Sequence, residues 1–386
     1  QLLLWTSDPF QLGLMKYQIL LIVSVLVSIA QMGLIAYNLA LFRRPQTTRL
    51  DEWPRVSILI YAYNQAENIA STLLAALGQN YPDFEIIFTD LNSDDNTLKI
   101  ASSYDDPKLQ IEKIDKIKPG WSIQAWASDQ LMRRATGEYA ILVSADTVLH
   151  PNALAQIASI MTAQRLQLAS LLPADQNKSF AQKTILAHNQ YLLLAAYPAA
   201  YMQQHSPERS TVHGGVLAMA VDPVRELGGF ALIKASPLEE HELFHRARQF
   251  GLKAGLFRAS DLATSQNHLD IRSIIADDIQ RMYPALRFHF PIAWMLALSG
   301  LTIFTGPLII AGYALATDNQ ALLMLALLAL FAQLVTRWIV AWESKQNMLA
   351  QILAPATNVL AMALILISVL QYELLKPRWQ NRTELV

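Results

Sequence analysis

Pro54-Arg55-Val56-Ser57-Ile58-Leu59-Ile60-Tyr61-Ala62-Tyr63-Asn64 decides how this chain folds. Val56–Ala62 is a short apolar run rich in β-branched and aromatic residues, the pattern of a buried strand, and it ends in a polar turn. The same design returns twice. Glu85-Ile86-Ile87-Phe88-Thr89-Asp90 leads into Ser93-Asp94-Asp95-Asn96-Thr97, and Gly137-Glu138-Tyr139-Ala140-Ile141-Leu142-Val143 leads into Ser144-Ala145-Asp146. Each apolar run stops at an acidic or amide-bearing turn. Ligands of open α/β sheets bind just outside the carboxyl ends of the strands, so Asn64, Asp90 and Asp146 stand where a ligand would be met.

The stretches between these runs complete an alternation. Ile69–Leu77 has helical spacing and stops at Gly78, a residue suited to a C-cap. Asp95–Tyr104 reads as a helix, Leu109–Ile114 as a strand, and Ser122–Thr136 as a helix terminated by Gly137. Strands alternating with helices predict a mostly parallel sheet covered on both faces.

Composition adds a membrane part. Of the 386 residues, 53% are hydrophobic and 16% charged, with a mean hydropathy of +0.24, values high for a purely soluble enzyme. The net charge of −1 offers no electrostatic footprint for nucleic acid. The chain has no cysteine, which excludes disulfides and thiolate metal sites. Residues 1–16 form a leading segment. Residues 17–42 carry no charge, are long enough to span a bilayer, and lack a small-residue cleavage site, so they read as an anchor. Residues 43–288 form the α/β domain, with an amphipathic interfacial helix near 272–288. Residues 289–375 hold three more apolar runs, about 290–316, 321–342 and 348–375, and 376–386 form a tail. Arg43, Arg44 and Arg49 place residues 43–288 in the cytoplasm under the positive-inside rule. With three further spans the basic tail Lys376-Pro377-Arg378 would fall outside, against that rule. Either one span is re-entrant, with Gly306-Pro307 as the candidate break, or the rule fails.

The order of motifs resembles the inverting family-2 glycosyltransferases of GT-A fold over roughly residues 54–285. Within that family it is most similar to membrane enzymes that glycosylate carotenoids, hopanoids and other lipids. The residues that carry this are Gly120-Trp121-Ser122 with Trp126-Ala127, then Gly228-Gly229-Phe230, Arg281-Met282-Tyr283 and Trp379-Gln380-Asn381-Arg382. The resemblance implies a nucleotide-sugar donor, a lipid acceptor, a bacterial inner-membrane setting and a divalent cation, Mg²⁺ or Mn²⁺.

It also implies roles. Tyr63 and Asn64 lie in the turn that faces base and ribose, and Asp90 would accept hydrogen bonds from either. As capping residues, Asn64 and Asp90 would instead be structural. Asp146 matches the last residue of an Asp-x-Asp motif whose metal neutralises the diphosphate. Glu240, in Leu238-Glu239-Glu240-His241-Glu242, stands where the family has the base that deprotonates the acceptor, with Glu239 and His241 as substitutes. Arg281 matches the arginine of a Gln-x-x-Arg-Trp motif near the diphosphate; anchoring to lipid headgroups is its alternative. Gly214-Gly215 and Gly228-Gly229 would shape the acceptor pocket, and a lone His213 is more often structural.

Several positions depart from the family pattern. Gln65 replaces a glutamate, Leu91 and Asn92 an Asp-Gly pair, Ser144 the first motif aspartate, Ile123-Gln124 a Gly-Lys pair, and Asp278 and Met282 the glutamine and tryptophan beside Arg281. Together they remove negative charge from the metal position and positive charge from the phosphate loop. Two readings therefore stand: an active transferase, and a scaffold subunit of a membrane complex built on the same fold.

Overall fold

The computed structural model describes residues 9–41, 50–114, 117–175, 215–234, 236, 239–266, 271–286, 288–343 and 348–374, with isolated residues between 180 and 195. They divide into two compact units. One is drawn from Leu39–Asn177 and Ala199–His268, the other from Gln1–Asn38, Lys178–Pro198 and Leu269–Lys376.

The first unit is the α/β domain. Strands β1 (Val56–Ala62), β2 (Phe84–Asp90), β3 (Leu109–Lys113) and β4 (Tyr139–Ser144) lie in the order β3-β2-β1-β4 and are all parallel. The sheet continues through β7 (Val216–Ala220), β6 (Leu168–Asp175), β8 (Ala254–Ser265) and the three-residue β5 (Thr147–Leu149). Here the expectation of a mostly parallel sheet holds only in part, because β7 runs antiparallel to both neighbours and β5 antiparallel to β8. Periodicity sets which face a residue takes, not which way its strand runs.

Alternation along the strands feeds two cores. Ile58, Ile60, Ile86, Phe88, Ile141 and Val143 pack on one face beneath helices α2 (Ile69–Leu77) and α5 (Ala153–Gln164). Leu59, Ile87, Ala140 and Leu142 pack on the other beneath α4 (Ile123–Arg134), α6 (Val221–Glu226) and α7 (Glu239–Gln249). The segment expected to be helical over 95–104 forms only a short helix, α3 (Thr97–Ala101).

Gly137 does not end α4, which stops at Arg134. Its amide donates to Ser57 Oγ at 2.9 Å, and a Cβ there would lie 2.7 Å from Ser57 N. The glycine is required by a backbone that passes too close for any side chain.

The second unit holds α1 (Pro9–Leu41), α8 (Ile271–Ala285), α9 (Phe290–Gly300), α10 (Gly306–Ala316), α11 (Gln320–Glu343) and α12 (Ala354–Leu374). Among the described residues, four helical stretches are long and apolar enough to cross a membrane: Leu14–Ala40, Phe290–Ala316, Gln320–Trp342 and Gln351–Leu374. The chain does not break at Gly306-Pro307. A π-helical turn, Leu301–Thr305, joins α9 to α10 and accommodates the N–H that Pro307 lacks.

Side-chain pairings give the helix directions. Tyr17 meets Tyr313 with ring centroids 5.4 Å apart, while Ser24 Oγ donates to Ile303 O at 2.7 Å, so α1 is antiparallel to α9–α10. Gln333 Nε2 donates to Ser24 Oγ at 3.1 Å and Thr336 Oγ1 to Ser28 O at 3.4 Å, so α11 runs with α1. The end of α12 lies at the start of α9, where Tyr372 meets Phe288 edge-to-face with ring centroids 5.3 Å apart, and Met362 fills the space beside Gly300. Therefore α12 also runs antiparallel to α9, in the same direction as α11. Trp338 Nε1 on α11 donates to Met348 O at 3.3 Å, just before the 3-10 turn Leu349–Leu353 that leads into α12.

α8 is held to the end of α12. Ser368 Oγ donates to Ile279 O at 2.6 Å, Tyr372 OH to Gln280 O at 2.8 Å, and Tyr283 OH to Glu373 Oε1 at 2.5 Å.

Candidate active site

Strand register places the polar turns at one level. Ala62 is paired with Asp90, and Tyr61 with Ser144, so Tyr63, Asn64, Asp90 and Ser144–Asp146 all leave the sheet at the same edge. The chain passes from β1 outward to β2 and β3, then returns to β4 on the other side of β1. That reversal is the switch point at which doubly wound sheets open a ligand crevice.

The first two turns are stitched together. Asn64 takes a left-handed conformation (φ 51°), which asparagine tolerates. Its amide donates to Ser93 Oγ at 3.0 Å, and its Oδ1 accepts from Asp94 N at 2.9 Å. Gln65 N donates to Thr97 Oγ1 at 2.8 Å, and Ala66 N to Asp95 Oδ2 at 3.0 Å. Asp95 also accepts from Thr97 N and Thr97 Oγ1. Burial alone would raise the Asp95 carboxyl, but these donors hold it below the usual carboxylate range. Asn64 is thus not the N-cap of α2, a position held by Asn68; it joins the two turns. Neither Asp95 nor Thr97 stood out in the sequence, where Ser-Asp-Asp-Asn-Thr reads as a generic polar loop. Tyr63 is 43% exposed at the crevice edge.

Asp90 is 1% exposed. Its Oδ2 accepts from Ser93 N at 3.0 Å, while its Oδ1 is buried without a hydrogen-bond partner among the described residues. A buried carboxylate oxygen left unmatched is costly and calls for a donor. Leu91, next to it, is buried and apolar and donates its amide to Ala62 O at 2.9 Å.

Asp146 is half-buried at the end of β4. Its Oδ1 accepts from Thr147 Oγ1 at 3.3 Å and its Oδ2 from Ser265 Oγ at 3.4 Å, both long contacts. The loop is anchored through its backbone: Gln266 N donates to Asp146 O at 2.7 Å, and Thr72 Oγ1 to Ala145 O at 2.8 Å. Among the described residues no three of His, Cys, Asp and Glu gather as a metal site. Asp146 therefore offers one carboxylate with hydroxyls beside it. That set suits a Mg²⁺-like ion only when diphosphate oxygens complete the shell.

Trp121 and Trp126 form an edge-to-face pair with centroids 5.1 Å apart at the start of α4, where Ser122 Oγ caps Ala125 N at 3.1 Å. Ser122 N donates to Lys234 O at 2.5 Å, tying this helix start to the segment that leads into α7. Glu240, second residue of α7, is half-buried. His213, Gly214 and Leu238, and the side chains of Glu239 and His241, lie outside the described residues. Gly228 and Gly229 have positive φ (102° and 58°) and open the 3-10 turn Gly229–Ile233, which buries Phe230. They shape that turn. Arg281 is exposed on α8 and belongs to the other compact unit.

An α/β sheet with this order, a crevice at the carboxyl ends of β1, β2 and β4 and a carboxylate at each margin define a GT-A-like domain. Residues 57–222 match the family model described as Glycosyl transferase family 2. It is 30% identical over 109 residues to an uncharacterized glycosyltransferase of Nostoc sp., covering 28% of this chain and 32% of that protein. It is 33% identical over 98 residues to a poly-β-1,6-N-acetyl-D-glucosamine synthase of Staphylococcus epidermidis, covering 25% of this chain and 23% of that one. The chain thus spans about a third or less of the curated relatives it matches. Among solved structures, a mannosyltransferase of Pyrobaculum calidifontis in complex with GDP-Man and Mn²⁺ aligns with a TM-score of 0.52 at 17% identity, covering 92% of this chain and 98% of that one. At that identity the likeness is one of fold.

Proposed function

We propose that this chain is a membrane glycosyltransferase that moves a sugar from a nucleotide-sugar, UDP-linked in our reading, onto a lipid acceptor with inversion. The observation that carries the reading is Asp90 Oδ1, a buried carboxylate oxygen without a partner among the described residues, at the carboxyl end of β2. It suits an N–H of the base or a ribose hydroxyl, with the exposed Tyr63 ring and the Asn64 turn beside the crevice.

Asp146 would hold a divalent cation together with the donor diphosphate, and that cation neutralises the charge that develops on the leaving nucleotide. Glu240 takes the proton of the acceptor hydroxyl. The freed oxygen attacks the anomeric carbon on one face as the nucleoside diphosphate departs from the other, which inverts the configuration. The scaffold reading has one observation in its favour: Ser144 supplies no carboxylate beside Asp146, and among the described residues no three metal-ligating side chains gather there.

Titration calorimetry of UDP and GDP into the detergent-solubilised full chain, with Mn²⁺ and with EDTA, decides between them. A donor site requires metal-dependent binding that is lost in both Asp90→Ala and Asp146→Ala. Absence of binding at millimolar nucleotide would favour the scaffold.

We further propose that the α/β domain faces the cytoplasm of a bacterial inner membrane, and that the basic tail lies on the same side. α11 and α12 run the same way as α1, so with α12 re-entrant Arg43, Arg44, Lys345, Lys376 and Arg378 share one face, as the positive-inside rule asks. Because the chain lacks cysteine, single cysteines at Asp318 and Gln380 report sidedness cleanly. Labelling by an impermeant maleimide is expected at Asp318 only in intact cells, and labelling of both would overturn this arrangement.

A further inference from the structure

The second unit contains a buried cation that the transfer reaction does not use. Arg337 is 3% exposed and lies in the span Gln320–Trp342, five residues before its end, roughly 8 Å along the helix. Its Nη2 donates to Nδ1 of His188 at 2.8 Å and to Oδ1 of Asn358 at 2.6 Å. Its guanidinium lies 4.4 Å from the centroid of the Tyr191 ring, and Tyr191 OH donates to Oε1 of Gln31 at 2.8 Å. These partners are neutral, and among the described residues no carboxylate faces the guanidinium. Ionisable groups at membrane depth are expensive and are found paired or lining a ligand path.

His188 sharpens the point. A guanidinium can only donate, so Nδ1 must accept, and the neutral ring carries its proton on Nε2. That Nε2–H is buried and has no acceptor among the described residues. Among the described residues, a cation without a counter-charge and an N–H without an acceptor therefore sit on the two edges of one imidazole ring. Both call for the same chemistry, an anionic oxygen.

We propose that this cluster binds the anionic headgroup of a bilayer lipid. A phosphate oxygen accepts from His188 Nε2 and neutralises Arg337, the Tyr191 ring walls the charge, and the depth of one to two helical turns is within reach of a headgroup. The inference does not rest on the transferase reading, since none of these residues belongs to the sheet crevice.

The test is native mass spectrometry of the full chain in detergent, titrated with phosphatidylglycerol or phosphatidylcholine, with inorganic phosphate as a third arm in a thermal melt. Wild type is expected to retain phosphatidylglycerol about tenfold over phosphatidylcholine. That preference is expected to disappear in Arg337→Gln, weaken in His188→Phe, and survive in Arg337→Lys. Equal retention of both lipids by wild type, or an unchanged preference in His188→Phe and Arg337→Gln, would overturn the proposal. So would a melting shift with inorganic phosphate as large as that with phosphatidylglycerol, which would make the site one for a free anion. If Arg337→Gln fails to fold, His188→Phe, which keeps the guanidinium, and Arg337→Lys, which keeps the charge, decide the matter alone.

Discussion

Strand β2 carries a buried acid near each end, and the two are treated oppositely. Near the amino end Glu85, 3% exposed, has its Oε1 filled by Ser57 Oγ at 2.6 Å, Thr136 N at 2.8 Å and Thr136 Oγ1 at 2.8 Å, with Arg55 at 3.8 Å from Oε2. At the carboxyl end Asp90, 1% exposed, keeps Oδ1 without a partner among the described residues. One acid is consumed by the fold; the other is the one assigned to the nucleotide in the proposed function. A buried carboxylate whose oxygens are met by protein donors serves stability, whereas one with an oxygen that lacks a donor calls for an explanation, which the proposed nucleotide site supplies.

The comparison can be broken at four points. Glu85→Ala should cost about 3 kcal/mol, because several hydrogen bonds to a charged acceptor disappear and buried donors are orphaned. In a thermal melt that is a fall of about 6–12 °C for a domain of this size, with nucleotide affinity unchanged in the folded fraction. Gly137→Ala should cost about 2 kcal/mol, since its Cβ would press on Ser57 N and Arg55 O, backbone atoms that have little room to move. A melt unchanged by this substitution would show that β4 can shift away from β1.

Asp90→Asn should do the reverse of Glu85→Ala. It is expected to leave the melting temperature within about 2 °C, since an incompletely matched carboxylate is removed, while weakening nucleotide binding about tenfold. Loss of stability without loss of binding would place Asp90 with Glu85 as a structural acid.

The smallest effect concerns pH. Burial pushes the Glu85 carboxyl up, but the Ser57 and Thr136 donors and the Arg55 charge outweigh it and hold the carboxyl below its ordinary value. A lowered folded-state value means the stabilisation is fully present above the unfolded carboxylate range and is lost as pH falls through the folded value. Wild type should therefore lose more melting temperature below pH 4.5 than Glu85→Gln does. Parallel curves for the two proteins would sink this assignment.

Much of this was legible from residues alone. Val56–Ala62 and Ile69–Leu77 have their expected bounds, and Asp90 stands at a strand end as the pattern of the second apolar run implies. The helix expected at 95–104 is shorter because Asp95 turns its side chain onto Thr97 and the Ala66 amide, stitching two turns instead of entering the helix. Gly137 looked like a helix stop because a glycine after a helical run usually is one; its reason lies across the sheet at Ser57. Glu85 gave a fainter signal, a lone acid inside an apolar strand, but not the identity of Ser57 and Thr136 as its partners. Arg337 and His188, 149 residues apart in the chain, are brought together only by the tertiary structure.

The sequence by itself determined the apolar strands at Val56–Ala62, Phe84–Asp90 and Tyr139–Ser144, the helix Ile69–Leu77 and the long apolar stretches, because periodicity and hydropathy are local and act within a few residues. Tertiary structure alone decided strand and helix direction, the parallel course of α11 and α12, and which buried polar atoms find partners. Those depend on contacts between segments far apart in the chain, where the Ser57 and Thr136 donors separate Glu85, satisfied by the fold, from Asp90, whose Oδ1 has no partner among the described residues.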